Sequence, residues 1–283
     1  MTIRELLAEA ERRLDDDEPD DPALAADLHR LLGKTYARFG SYVRALPQLE
    51  RALHLRETHF GPDHTSVAES CCDLAELLYG EGERARAADL YGRALDLRMR
   101  LPGAEHADTL ATMAALGRLR MYMGELGTAE RLLQQVLDVQ RRTLGSTNPE
   151  IADTLHDLAA VKSRAGDHTT AEALHREALA LRQDAFGETN KLTADSHSEL
   201  ADAWLAAGAL GAAEKELRVA LAIYEALPRQ TPNIVQTMQA LGEVKRAAGD
   251  SDAALALLAA ALEMAEASFP RWHYITAWSQ RVY

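Results

Sequence analysis

The sequence predicts an all-α solenoid of six similar helix-turn-helix units, and three observations predict it. Gly40, Gly82, Gly124, Gly166, Gly208 and Gly249 recur every 42 residues, with one interval of 41. A fixed period of about 20–50 residues is the mark of stacked repeats. Small residues keep the same register: alanine stands five residues after each glycine, from Ala45 to Ala254. Twelve residues after it stand Ala52, Ala94, Val136, Ala178, Ala220 and Ala261, each followed by leucine. Eight residues before each glycine stands a leucine (Leu32, Leu74, Leu116, Leu158, Leu200, Leu241), always followed by glycine or alanine. Such rows mark helix backbones so close that a larger side chain would cost about 1–3 kcal/mol. The glycine between them suits a tight turn with positive φ.

Each element follows from that register. Ile3, Leu7 and Ala10 lie 42 residues before Ala45, Leu49 and Ala52, so the first helix is the second half of a unit, and the acidic run Asp15 to Asp21 is a junction. The first helices of the six units fall at about 24–39, 65–80, 107–122, 149–164, 191–206 and 232–247. Their partners fall at about 41–58, 83–100, 125–143, 167–185, 209–226 and 250–267. Between units stand Gly61, Gly103, Gly145 and Gly187 in the strings FGPDH, PGAEH, LGSTNP and FGETNK, all helix-stop and turn signals. The last two junctions, LPRQTPN and FPRWH, keep proline and lose glycine. Phe269, His273 and Ala277 continue the rows into a seventh unit. The organisation expected is one solenoid: residues 1–22 as half-unit and junction, 23–268 as six repeats, 269–283 as a capping helix. Terminal repeats need their apolar faces covered. The aromatic segment with Trp272, Tyr274, Trp278 and Tyr283 has two readings, a cap or an exposed surface for docking or homo-oligomerisation.

Composition excludes several functions. A formal charge of −13 argues against unaided binding of nucleic acid or an anionic membrane, which need a cationic surface. No stretch approaches 18 consecutive apolar residues, and the start, MTIRELLAEAERRLDDDEPDD, has no apolar run suited to a signal peptide, so a cytoplasmic protein is expected. Cys71 and Cys72 are adjacent and staple nothing; Cys71 shares a row with Met113, Leu155 and Met238 and is read as a packing residue in a reducing compartment.

The turn glycine, the leucine-small pair before it and the alanines after it resemble the tetratricopeptide repeat. The 42-residue spacing and strings such as FGPDHTSVAES resemble its long variety, found in kinesin light chains and in the sensor regions of bacterial regulators. The resemblance covers the whole chain and implies a right-handed superhelix whose first helices line a concave groove that binds proteins. Kinesin-light-chain repeats carry asparagines ten and nine residues before the turn glycine to hold a peptide backbone. Here those places run from Arg30 and Leu31 to Gln239 and Ala240, and none is asparagine, so other groups must hold a ligand.

Thirteen residues before the glycine stand Asp27, Glu69, Ala111, Asp153, Asp195 and Gln236, while Lys34, Arg38, Arg118, Arg120, Lys162, Arg164, Lys245 and Arg246 stand near the helix ends. These charges either complement the helix dipole, at about 0.3–1 kcal/mol each, or form acidic and basic walls that orient a mixed-charge segment. Asp153, His156, Asp195, Ser198 and Asp202 form the most chemical patch, and a metal or acid-base site there is geometrically conceivable. His197 lies on a packing row and is expected to be a core histidine with a hydrogen-bond partner. Gly33-Lys34-Thr35 lacks the earlier glycine of a phosphate loop, and Gly33 is already a helix-contact residue. Pro47, near the start of a second helix, is read as structural.

The function expected is a non-catalytic adaptor with no cofactor and no catalytic or metal residues, holding a protein or peptide through Arg118, Tyr122, Asp153, His156, Arg164, Asp195, Ser198, Asp202 and Glu243. The alternative is a sensory domain that binds a small ligand or signalling peptide and controls an effector; an enzyme or metal site around Asp153 and His156 comes third.

Overall fold

The computed structural model describes residues 3–229 and 231–268. The aromatic segment expected to cap or dock lies outside them. Among the described residues the chain is all α, with thirteen α-helices, one 3-10 turn and no strand. The described residues fall into two compact units that divide between Val136 and Leu137, within the seventh helix.

The first unit begins with α1 (Ile3–Asp16), followed by α2 (Pro22–Arg38) and α3 (Tyr42–Phe60), α4 (Thr65–Gly80) and α5 (Arg84–Arg100), and α6 (Ala107–Tyr122) with α7 (Leu126–Leu144), which runs past the division. The second unit carries the turn Pro149–Ile151, α8 (Ala152–Arg164), α9 (His168–Phe186), α10 (Lys191–Ala206), α11 (Leu210–Ala226), α12 (Thr231–Ala247) and α13 (Ser251–Ser268). Helices pair within each repeat, and the second helix of one repeat packs on the first of the next, as in α3 with α4 and α9 with α10.

The turn between paired helices is the same each time. Ser41 N–H donates to Tyr36 O at 2.9 Å and Glu83 N–H to Leu78 O at 2.9 Å; Asp167 to Lys162 and Ala209 to Trp204 repeat it, a Schellman closure around a glycine such as Gly82 at φ +86°. The junctions between repeats act as caps. His64, His106, Asn148 and Asn190, 42 residues apart, each accept a backbone N–H two residues on, from Ser66, Asp108, Glu150 and Leu192.

The small-residue rows are the core. Ala45, Ala52, Ala87, Ala94, Ala129, Ala171, Ala178, Ala213, Ala220 and Ala261 are fully buried. A Cβ on Gly33 would stand 2.7 Å from Leu49 Cγ, and one on Gly117 or Gly242 would stand 2.9 Å from Leu133 or Leu258, so the GKT string is a packing contact. Cys71 is buried against Val67, Ala68 and Leu97. Pro47 sits inside α3, where the carbonyl it cannot serve belongs to Val43, a residue 83% exposed near the helix start.

Candidate functional site

In the second unit, Asp195, Ser198, Glu199 and Asp202 follow the i, i+3, i+4, i+7 spacing that puts them on one face of α10. Asn233, Gln236, Ala240 and Glu243, at i, i+3, i+7 and i+10, likewise share one face of α12. With Leu217 and Tyr224 of α11 these residues enclose a cleft of about 500 Å³. Four carboxylates line it and no lysine or arginine does. Asp195 receives the Tyr224 hydroxyl at 2.6 Å and Lys191 Nζ at 2.7 Å; burial, then the Asp195 carboxylate, pushes the Tyr224 hydroxyl pKa up. The cleft walls crowd Asp202 and push its pKa up to about 6, with Glu199 and Glu243 adding to the rise and His156 opposing it. Its side chain stays open to solvent, which screens the effect. Neither Asp202 nor Glu243 forms an ion pair among the described residues.

Four of the expected site residues, Asp195, Ser198, Asp202 and Glu243, therefore share this cleft. Asp153 does not join His156. Its carboxylate takes the buried Arg182 guanidinium, which also donates to Ser196 Oγ at 2.7 Å and Leu192 O at 3.4 Å. The first unit has the same device, Arg56 donating to Asp27 at 2.7 Å, Ser66 O at 2.8 Å and Ser70 Oγ at 3.0 Å. Arginine sixteen residues after a turn glycine thus ties the acid thirteen before it, and Tyr224 serves Asp195 in the next repeat. His156 instead faces Glu199, with Nδ1 3.2 Å from Oε2, and His175, whose ring centroid is 5.3 Å away. Burial of His156 opposes its charge, but the Glu199 and Asp157 carboxylates outweigh that and raise its pKa. His175 is held down to about 3 by burial, then by His156 and Arg182.

Arg118 lines a separate cleft of about 310 Å³ in the first unit with Asp73, Glu76, Tyr79 and Tyr91. Tyr122 is 43% exposed, its ring 5.8 Å from Tyr79, and Arg164 ends α8. His197 is buried with Nδ1 2.6 Å from Glu216, as its packing row implies.

Tyr224, Glu199 and His175 are the site neighbours that sequence patterns did not single out. For His175 a signal existed: nine residues after the turn glycine the row reads Leu49, Tyr91, Leu133, His175, Leu217 and Leu258, one imidazole in an apolar row.

The tetratricopeptide repeat profile matches residues 24–100, 74–142, 108–184 and 150–226. The chain belongs to the tetratricopeptide repeat family. Nephrocystin-3 of Xenopus laevis is 38% identical over 66 residues, 23% of this chain and 5% of that protein; the Homo sapiens protein is 35% identical over 72 residues, 25% and 5%. The chain thus spans about a twentieth of the curated relatives it matches. Among solved structures, the nearly identical TPR-like repeats of a putative kinesin light chain from Podosopora anserina superpose with a TM-score of 0.65 at 25% identity, over 73% of this chain and 97% of that one. BtubC (BKLC) from P. vanneervenii gives 0.62 at 22%, over 84% and 93%, a likeness of fold alone. Tetratricopeptide repeats are in general protein-interaction scaffolds, and no helix of the described chain is long and apolar enough to cross a membrane.

Proposed function

We propose that this tetratricopeptide repeat chain is a non-catalytic adaptor that holds an extended segment of a protein partner against its first helices, with the α10–α12 cleft receiving a basic side chain. The observation that supports it is the lining of that cleft. Asp195, Glu199, Asp202 and Glu243 converge with no lining cation, in a volume typical of ligand sites. Asp195 and Glu199 have cationic partners in Lys191 and Arg182, so Asp202 and Glu243 are the carboxylates an incoming ammonium or guanidinium would neutralise. Burial in the cleft is the main cause that raises the Asp202 pKa, with Glu199 and Glu243 adding to it; a cation beside Asp202 offsets both, which makes lysine or arginine a better occupant than a neutral residue. Ser198 Oγ, buried without an aligned hydrogen bond, offers a polar contact to the partner backbone. Asp153, His156 and Arg164 of α8 in the same unit, and Arg118 and Tyr122 of α6 in the first unit, are the further contact residues of this reading, each set taken within its own unit. A cytoplasmic site of action belongs to this reading, supported by two free thiols, Cys71 and Cys72.

Fluorescence polarisation with short labelled peptides that differ only in lysine against norleucine tests it. Lysine peptides are expected to bind, weakening with added salt and by about tenfold in the Asp202→Asn/Glu243→Gln variant. Binding that ignores lysine, or that the variant leaves unchanged, overturns the proposal.

A further inference from the structure

We propose that His156, His175 and Glu199 form a binding site for a divalent transition-metal ion of the zinc class. The three residues come from α8, α9 and α10 of the second unit, and each presents a ligand atom such that all three lie within 4.8 Å of one another. Donors at about 2.0–2.2 Å from a tetrahedral zinc ion stand roughly 3.3 Å apart, so small side-chain rotations close the set. Two imidazoles and a carboxylate are a donor set that suits this class of ion.

The repeat register shows why this is more than a buried ion pair. At the equivalent place in the first unit Arg30 pairs with Asp73, and the residue at the position of His175 is Leu49. An ion pair therefore needs only an apolar neighbour at that position. Here a histidine stands there instead, 4% exposed, with its Nδ1 buried and unpartnered among the described residues. The Nδ1 of His156 is also buried, and although it lies 3.2 Å from Glu199 Oε2 it is not aligned for a hydrogen bond. A buried imidazole nitrogen of His175 without a partner, and one of His156 that meets only a misaligned carboxylate, are what a bound cation would satisfy. Arg182 brings an opposing charge, 3.3 Å from Glu199 Oε2, but it is also paired to Asp153, and the buried Asp157 and the carboxylate of Asp202 keep the surroundings acidic. Glu199 also lines the α10–α12 cleft, which gives the ion a route from solvent and leaves a coordination position open to water.

The test uses the untagged full chain stripped with EDTA, titrated with Zn²⁺ by calorimetry and with Co²⁺ by visible absorption. One ion per chain is expected to bind saturably, with Co²⁺ giving the visible bands of a nitrogen- and oxygen-ligated site of low coordination number, and Zn²⁺ raising the melting temperature. His175→Leu installs the residue that the row carries in four other repeats, so the fold is kept; it and Glu199→Gln are each expected to weaken binding by at least about tenfold and remove the thermal shift. His59→Gln, at an exposed histidine, is expected to change nothing. No saturable binding, or one-to-one binding undiminished in both His175→Leu and Glu199→Gln, overturns the proposal.

Discussion

Arg229 occupies the place that glycine holds at the earlier junctions, 42 residues after Gly187, and like that glycine it has a positive φ, +60° against +85°. It is the one non-glycine residue at positive φ among those described. The loss of glycine was visible in the string LPRQTPN; that the backbone would keep a positive φ there was not, because neighbouring helices dictate the chain path and the side chain must follow. An L-residue in that region costs about 1–2 kcal/mol, and glycine's extra freedom in the unfolded chain returns part of it. Arg229→Gly is therefore expected to stabilise the chain by about 0.5–1 kcal/mol, read as a higher urea midpoint; an unchanged or lower midpoint would show that the Arg229 side chain contributes more than its backbone costs. His175 is the companion case, a polar residue in an apolar row whose meaning depends on what stands beside it in space.

Among the elements, the half-unit α1 is held to its neighbours by polar contacts as much as by Leu14. Glu11 accepts from the Tyr36 hydroxyl at 2.8 Å, Arg44 at 3.1 Å and Gln48 at 3.1 Å. In the junction that follows, Glu18 accepts from Arg51 at 2.6 and 3.0 Å and meets His29 Nε2 at 2.9 Å. The Arg51 hydrogen bonds, helped by His29 and opposed by burial, hold the Glu18 carboxyl below its ordinary value of 4.5. A depressed carboxyl pKa contributes stability that is present above 4.5 and lost as pH falls through the folded value. Glu18→Gln is expected to lower the melting temperature at pH 7, with the gap to the parent chain closing below pH 4.5. A gap that stays constant with pH would mean that shape and not charge carries the contact. Helix boundaries were legible to within a few residues, since Schellman turns and caps are local and repeat with the glycines. The docking of α1 was legible only as a shared register; Glu11 and Glu18 gave no pattern, because their partners lie 11 to 37 residues away.

At the scale of the whole molecule the formal charge of −13 sets the long-range field. Labelled single- and double-stranded DNA is expected to show no polarisation change at about 0.15 M salt; binding that falls steeply with added salt would reveal a cationic surface that the net charge conceals. The family and the all-α repeat fold were decided by the sequence itself, because helix formation, capping and the close approach at small residues depend on neighbours a few positions apart, and a period of 42 multiplies one local solution. The shared face of Asp195, Ser198 and Asp202 was legible for the same reason, since three residues at helical spacing on α10 can only point one way. Tertiary structure alone decided that Asp153 reaches Arg182, 29 residues on, while His156, three residues along its own helix, turns to Glu199 and His175. Which long side chain meets which across a helix pair is set by rotamers and packing in three dimensions; the 29-residue spacing that Asp27–Arg56, Asp153–Arg182 and Asp195–Tyr224 share gains its meaning only from those contacts.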